Sequence, residues 1–401
     1  MRAIAEAGGP IRVLAVDHTA GVAPYRRRHA AIAAHPGIEL TVLAPDRWVE
    51  NYATVRVDAR RPVAVDGYRL RSGSVVWPGY ENRGFFTSGL AGAFRDARPD
   101  IVHLWEEPFS LIALQALWLR RRLAPASVAI FTSADNVSLG FRYVYRPAWL
   151  YARIERYAHR ECAAGVAISE EVATVLRDKG YRGALEVLPL GLDLAAYPAR
   201  DNSSRPSPVI GYVGRLTPQK GVDVLLRAVA ALPSRADGTT PSLLIVGDGP
   251  AKGSLEALAG SLGLSNRVRF RSAVPHDAVP EILRGIDILV LPSRTLPTVK
   301  EQFGRVLIEG MAAGCVVIGS SSGAIGDVIG DAGLVFPEED ASALAAALTR
   351  ALEEPGLAAS FRERGRARVA AHYTWDAIAE RIVGLYRHLL AGTRGSGTAT
   401  G

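Results

Sequence analysis

Short apolar runs that stop at a turn alternate along this chain with longer stretches whose apolar residues recur every third or fourth position. The run IRVLAVD, Ile11–Asp17, reads as a buried parallel strand. ELTVLAP, DIVHLWE, SVAIFTS, GVAIS and LEVLPLG repeat that pattern through the first half. Helical patterns separate them, among them FSLIALQALWLRRRL after Pro108. In SEEVATVLRDKG, Ser169 is placed to cap a helix and Gly180 to stop it. Strands alternating with helices predict a parallel sheet with helices on both faces.

The rhythm breaks at YPARDNSSRPSPV, Tyr197–Val209, whose Pro, Ser, Asn and Arg content is that of a linker. It restarts with VIGYVG, SLLIVGDG, VRFRSAV, DILVLPS, CVVIGSS and AGLVF. The chain therefore reads as two Rossmann-like α/β domains, 1–197 and 209–374, with a linker at 198–208. A last helical pattern at 375–392, TWDAIAERIVGLYRHLLAG, is expected to pack back on the first domain. The tail 393–401, TRGSGTATG, has a disordered composition. Ligands of open parallel sheets bind beyond the carboxyl ends of the strands, so two such domains facing each other would share one cleft as the active site.

Composition narrows the class. At 401 residues the chain exceeds one ordinary core, and 48% apolar with 22% charged residues is globular and soluble. No apolar stretch approaches the roughly 18–20 residues needed to cross a bilayer, and MRAIAEAGGP lacks the apolar core of a signal peptide. Cys162 and Cys315, the only cysteines, sit in no metal-like spacing. A cytoplasmic protein without disulfides or structural zinc is the expectation. The net charge of +7 is uneven: residues 1–200 hold 26 Lys/Arg against 20 Asp/Glu, and 201–401 hold 21 against 20. Only Lys179, Lys220, Lys252 and Lys300 are lysine, so a lysine in a motif is informative.

GYVGRLTPQKG, Gly211–Gly221, is a strand, a turn bracketed by Arg215 and Lys220, and a glycine opening a helix. Two cations beside free N–H groups at a helix N-terminus suit a diphosphate; a solvated loop with incidental charge explains the same residues. IVGDGP, Ile245–Pro250, is a weak Gly-rich turn. No G-x-G-x-x-G follows the first strand of either half, which disfavours nicotinamide and flavin enzymes, and no P-loop motif is present. No Asp-x-Asp pair offers Mg²⁺ ligands; Arg215 and Lys220 could neutralise a leaving diphosphate without metal.

Glu301 and Glu309 flank FGRVLI. If both were helical they would lie about 12 Å apart along the axis, too far to grip one atom or to act as a glycosidase pair. They could instead hold two ends of one extended ligand, Glu301 from the loop and Glu309 from the helix. FGRVLIEGMAAG is apolar nearly all round, and a glutamate there needs a partner.

EQFGRVLIEGMAAG resembles the E-x7-E signature of retaining GT-B glycosyltransferases, and the chain looks like glycosyltransferase family 4 over about residues 11–392. GRLTPQKG resembles that family's diphosphate loop, and LPLGLDLAAYP its interdomain segment. The resemblance implies a nucleotide-sugar-binding second domain and an acceptor-binding first domain. Glu309 would bind ribose hydroxyls. Glu301, with the backbone amides of Phe303 and Gly304, would hold the transferred sugar. Arg215 and Lys220 would carry the diphosphate and, with Glu301, form the catalytic set. Gly21, in DHTAGVAPYRRR, could let backbone approach the same phosphates. No metal or other cofactor is expected.

Departures from the family pattern concern the first half. FTSADN, Phe131–Asn136, carries Asp135 and Asn136 where many relatives have a histidine, and HLWEEP places Glu106 and Glu107 near the cleft. Glu106, Asp135 and Asn136 are the candidates for acceptor hydroxyls, whether of a glycan, a lipid or a small metabolite; a strand-end carboxylate bound to a neighbouring cation is the plainer account. SSSGAIGDVIG has Asp327 in place of the usual glutamate. The basic runs YRRRHAAIAAH and LWLRRRL leave peripheral contact with the inner membrane face open, and nucleic acid is disfavoured because aromatics do not interleave with the cations. The expected activity is retaining, metal-independent transfer from a UDP- or GDP-sugar to a hydroxyl. Its rivals are a silent sugar-nucleotide-binding subunit and an epimerase or phosphorylase on the same fold.

Overall fold

A computed structural model describes residues 9–50, 53–137, 145–198, 207–232 and 239–395. The chain forms two compact units, Met1–Pro189 with Trp375–Gly401, and Leu190–Thr374.

In the first unit the main-sheet strands are β1 (Ile11–Asp17), β2 (Ile38–Pro45), β3 (Val63–Val65), β4 (Tyr68–Gly73), β5 (Ile101–Trp105), β6 (Val128–Ser133), β7 (Cys162–Ala167) and β8 (Ala184–Val187). Their order is β8-β7-β6-β5-β1-β2-β4-β3, with all pairs parallel except the edge pair β3–β4. Helices α1 (Ala23–Ala33), α2 (Leu90–Ala97), α3 (Leu111–Leu123), α4 (Ala148–Glu161) and α5 (Glu170–Asp178) connect them. Two ribbons, Arg47–Glu50 with Ala53–Arg56 and Val75–Val76 with Phe85–Phe86, are added outside the sheet. The second unit has β9 (Val209–Val213), β10 (Ser242–Val246), β11 (Val268–Arg271), β12 (Ile288–Leu291), β13 (Val316–Ser320) and β14 (Gly333–Phe336). They lie in the order β11-β10-β9-β12-β13-β14, parallel throughout. Its helices are α6 (Val222–Ala230), α7 (Lys252–Ser261), α8 (Val279–Arg284), α9 (Arg305–Ala312), α10 (Ile325–Ile329), α11 (Ala341–Glu353) and α12 (Leu357–His372).

Both sheets reverse direction beside their first strand, between β1 and β5 and between β9 and β12, and this switch point opens a crevice at the strand carboxyl ends. The continuous apolar runs are strands because both faces are covered: β12 and β13 are buried at every residue. The expected caps hold. Ser169 Oγ accepts from Val172 N at 3.3 Å, Gly180 has a positive φ of 90° after α5, and Ser110 Oγ accepts from Ala113 N at 3.0 Å to start α3; a cap of this kind contributes about 1 kcal/mol.

The last helix, α13 (Trp375–Gly395), packs on the first unit as expected. Its Ile378, Ile382, Val383 and Tyr386 join the core formed by β1, β2 and β5. His103, buried on β5, hydrogen-bonds the Tyr386 hydroxyl through Nδ1 at 2.7 Å and Thr132 Oγ1 through Nε2 at 2.9 Å. Burial pushes its imidazole down to about 3, so the clamp is neutral.

Two boundaries and one strand differ from the sequence pattern. The second unit begins at Leu190 rather than after 197, because Leu192 N donates to Tyr373 O at 2.9 Å and pairs with Thr374, tying the segment to that unit. The helix at 375–392 runs on to Gly395, so residues 393–395 of the expected tail are helical; the rest of the tail, and 199–206 of the expected linker, lie outside the described residues. Strand β4, YRLRSG, has no counterpart in the apolar pattern: Arg69 is exposed, Arg71 is half-buried, and only one face meets the core. Among the described residues no helix is long and apolar enough to cross a membrane.

Candidate active site

The second unit brings GYVGRLTPQKG and EQFGRVLIEG together at its switch point. β9 ends at Val213 and the loop runs through exposed Arg215 into a 3-10 turn, Pro218–Lys220. The IVGDGP turn braces this loop: Gly214 N donates to Val246 O at 3.0 Å, Leu216 N to Asp248 O at 2.9 Å, and Ala251 N to Leu216 O at 3.0 Å. Gly221 then turns the chain into α6 at a φ of 62°, and a Cβ there would lie 1.9 Å from Pro292 O. Only glycine meets both demands. That close approach sets the start of α6 against the end of β12.

From β12 the chain runs Pro292–Ser293 and on to Glu301. Lys220 Nζ donates to Glu301 Oε2 at 2.6 Å, and Ser293 Oγ donates to the same oxygen at 2.7 Å. Glu301 is buried and Lys220 half-buried. The ion pair therefore spans the crevice between β9 and β12. Glu301 O accepts from Ala324 N at 3.1 Å, which fixes its backbone to the SSSGA turn after β13. Glu301 lies in the loop and Glu309 in α9, one turn from its end. Between them Gly304 caps α9 at a φ of 77°, and a Cβ there would lie 2.9 Å from Leu291 Cδ2. Among the described residues the N–H groups of Phe303 and Gly304 donate to no protein group. The Phe303 ring is buried edge-on to Tyr373 at 5.9 Å.

Glu309 is buried and partnered on one oxygen: Arg305 Nε donates to Oε1 at 3.1 Å and His276 Nε2 lies 3.1 Å from it. The second cation of the crevice wall is Arg294, which donates to Asp223 Oδ1 at 2.6 Å in the first turn of α6 and by its backbone N to Gln219 O at 2.8 Å. Arg215 makes no side-chain hydrogen bond or ion pair among the described residues. Arg215, Lys220, Glu301, Phe303, Gly304 and Glu309 thus gather in one unit at one end of one sheet. Sequence reasoning passed over Ser293, His276, Arg305 and Arg294. Ser293 and Arg294 carried a signal, since they follow a strand of a parallel sheet; His276 and Arg305 did not.

The first unit places its candidates differently. Glu106 follows β5 and His18 follows β1, so they also straddle a switch point. Glu106 Oε1 accepts from His18 N, and Oε2 lies 2.9 Å from His18 Nδ1. Burial opposes the charge of His18, but Glu106 overcomes it and lifts the imidazole to about 9; burial also raises the Glu106 carboxyl, with the imidazolium opposing. Asn136 is buried and donates to Glu171 Oε2 at 2.9 Å. Asp135 accepts from Lys179 Nζ at 2.6 Å and keeps its side chain partly open. Glu106 and Asn136 are therefore spent inside the unit. Gly21 is packed too, since a Cβ there would lie 3.3 Å from Val55 Cγ1.

Two further networks sit beside them. Burial works against the charge of Asp17, yet Arg28 and His29 hold its carboxyl far below the usual range. His29 Nε2 is 2.6 Å from it, Thr19 N and Oγ1 donate to it at 2.8 Å, and Arg28 stacks 4.4 Å over Trp105. Arg28 and His29 of the run YRRRHAAIAAH thus face inward. Glu107 accepts from Ser133 Oγ at 2.6 Å and Ala134 N at 2.7 Å; burial, with Asp135 adding, pushes it up to about 8. Burial lifts Glu155 to about 7 against Lys179, 3.4 Å away.

Known proteins share the family and fold of this chain. Residues 19–196 match the model described as Glycosyltransferase Family 4, and 196–368 that described as Glycosyl transferases group 1. The chain is 32% identical over 337 residues to the 2-deoxystreptamine N-acetyl-D-glucosaminyltransferase of Streptomyces fradiae, covering 77% of this chain and 75% of that protein. It is 29% identical over 249 residues to the alpha-D-kanosaminyltransferase of Streptomyces kanamyceticus, covering 59% and 63%. Some other curated relatives, a 2-deoxystreptamine glucosyltransferase and D-inositol 3-phosphate glycosyltransferases among them, are spanned over only about half their length. The fold is similar to the sucrose-phosphate synthase of Thermosynechococcus elongatus, with a TM-score of 0.70, 21% identity, and coverage of 96% of this chain and 100% of that one. The chain belongs to the GT-B glycosyltransferases, with a glycosyltransferase family 4 segment followed by a glycosyl transferases group 1 segment.

Proposed function

We propose that the protein transfers a sugar from a UDP- or GDP-sugar to a hydroxyl acceptor with retention of anomeric configuration, the second unit holding the donor. The observation that carries this reading is the Lys220–Glu301 pair across the switch point. Without donor, each neutralises the other. A diphosphate arriving at the turn Pro218–Lys220 would take the ammonium, and the freed Glu301 carboxylate would accept hydrogen bonds from sugar hydroxyls, with the Phe303 and Gly304 N–H groups beside it. Glu309, steadied by His276 and Arg305 on Oε1, would take the ribose hydroxyls on its other oxygen.

Arg215 and Lys220 meet charge that grows as the anomeric carbon–oxygen bond breaks, and such matching lowers the barrier more than it tightens ground-state binding. With two cations for the leaving diphosphate, the reaction is proposed to run without a metal ion. A leaving phosphate oxygen would take the acceptor proton on the same face. In the first unit Asp135, whose side chain reaches solvent, is assigned to acceptor hydroxyls in preference to Glu106 and Asn136.

Thermal-shift measurement against UDP, GDP, ADP and their sugars, repeated with Glu309→Ala, tests the donor site. One nucleotide should stand out, and its shift should shrink in the variant; no shift with any nucleotide overturns the reading. Nucleotide release that requires a hydroxyl acceptor, persists in EDTA and yields a product of unchanged anomeric configuration tests the rest. Release driven by inorganic phosphate instead would make the protein a phosphorylase.

A further inference from the structure

We propose that the outer face of α3 and α4 docks the protein on an anionic lipid bilayer. The two helices lie side by side in the first unit. Phe109, Tyr151 and Ile154, with Leu111 and Leu114, form a satellite core between their first halves. At their far ends Arg120 and Arg121 both reach Glu161, at 3.2 and 3.3 Å. They therefore run in the same direction and present one surface.

That surface has an unusual composition for a face that meets only water. Trp149 is 61% exposed, and Arg153, Arg156 and Arg160 follow it at four, seven and eleven residues, all exposed. This spacing is one stripe of the helix, and no carboxylate interrupts it: Glu155 is turned inward to Lys179, and Glu161 is engaged with α3. On α3, Trp118 is 49% exposed beside exposed Arg121, Arg122 and Leu123. The ribbon Val75–Val76 with Phe85–Phe86 packs against α3 through Gln115, whose Nε2 donates to Phe86 O at 2.6 Å, and its connecting loop adds exposed Trp77 and Tyr80.

The two exposed indoles of the helices, Trp118 and Trp149, each carry a guanidinium from the residue four positions on. Arg122 lies 3.5 Å over Trp118, and Arg153 lies 5.4 Å from the Trp149 ring centre. A tryptophan paired with arginine suits the headgroup layer, where the ring meets the acyl boundary and the guanidinium binds lipid phosphate. Nucleic acid fits less well: one ring face at Trp118 and Trp149 is taken by the arginine, leaving less aromatic surface on which bases could stack. No helix of the described residues is apolar enough to span, so the face would lie on the membrane surface. The inference does not depend on which donor or acceptor the protein uses.

The test is flotation of the full chain with vesicles of phosphatidylcholine alone and of phosphatidylcholine mixed with phosphatidylglycerol, in low and high salt. Binding should require the anionic lipid, weaken in high salt, and fall at least about tenfold in the triple variant Arg153→Glu, Arg156→Glu, Arg160→Glu. A Trp118→Ser, Trp149→Ser variant should bind more weakly and lose the blue shift of tryptophan emission on vesicles. Unchanged thermal unfolding and an unchanged nucleotide shift confirm that the variants fold. No binding to anionic vesicles, or equal binding by the triple variant, overturns the proposal. So does loss in the triple variant of affinity for single-stranded RNA with no vesicle binding by the parent chain.

Discussion

The two units have the same sheet order around the switch point, yet they use the crevice differently. In the second, the groups at the strand ends come from two continuous segments, Gly211–Gly221 and Glu301–Glu309, with Ser293, Arg294 and His276 beside them. The pair that spans its crevice, Lys220–Glu301, joins a half-buried ammonium to a carboxylate whose side chain is 10% exposed. In the first, Asp17, His18, Arg28, His29, Glu106, Glu107, Asp135, Glu155 and Lys179 come from many elements and are mostly buried and locked to one another. The second crevice leaves Arg215 exposed and Lys220 half-buried; the first uses its charge to hold itself together.

Removing one member should therefore have opposite signatures in the two units. The largest effect is expected from Asp17→Asn. It strands Arg28 in a buried site, and breaking a buried pair in this way costs about 3–5 kcal/mol. Urea unfolding should show that loss, while any folded protein keeps its nucleotide-induced thermal shift. A loss under 1 kcal/mol would mean that the network is solvated and the contrast fails.

Lys220→Ala should do the reverse. Removing one charge-stabilising donor typically costs about a hundredfold or more in kcat, with little change in unfolding free energy because Glu301 keeps Ser293. Steady-state release of nucleotide diphosphate measures it. An unaltered rate removes Lys220 from the chemistry.

A smaller effect separates the units by pH. Because Glu106 raises His18 above its ordinary 6.5, the pair's stability is fully present below pH 6.5 and is lost as pH rises through about 9. Glu155 and Glu107, raised to about 7 and 8, add to the same downward trend from pH 4.5. Subtracting the Glu106→Gln curve isolates the Glu106–His18 pair, in which the histidine should account for on the order of 2 kcal/mol between pH 6.5 and 9. Parallel curves for parent and variant would show that Glu106 does not hold the charge. The smallest expected effect is Glu309→Ala, about a tenfold loss of donor affinity with kcat nearly kept, as for a group that binds donor and transition state alike. Equal losses in kcat and kcat/KM would move Glu309 from binding into catalysis.

How far the sequence reached follows the same division. The strands of the second unit, the turn at Lys220 and the loop-then-helix placing of Glu301 and Glu309 were legible, because a parallel sheet buried on both faces leaves unbroken apolar runs and its loops are contiguous in the chain. Glycines at 221 and 304 marked positions where the backbone must turn left-handed or pass close to a neighbouring strand. In the first unit the apolar strands β1, β2, β5, β6, β7 and β8 were legible as well. The half-polar β4 was not, since a strand next to the sheet edge with only one covered face resembles a loop until its neighbours are known.

Local pattern and composition thus determined the α/β class, the repeated Rossmann-like order and the return of the last helix, and the family resemblance supplied the shortlist of candidate donor-side residues. Only the tertiary structure decided which charges meet: that Lys220 faces Glu301 across 81 positions, that Glu106 belongs to His18 across 88, and that His103 clamps Tyr386 across 283. The physical reason is that burial and Coulomb attraction depend on distance in space. A spacing in sequence sets that distance only within one helix, strand or tight turn.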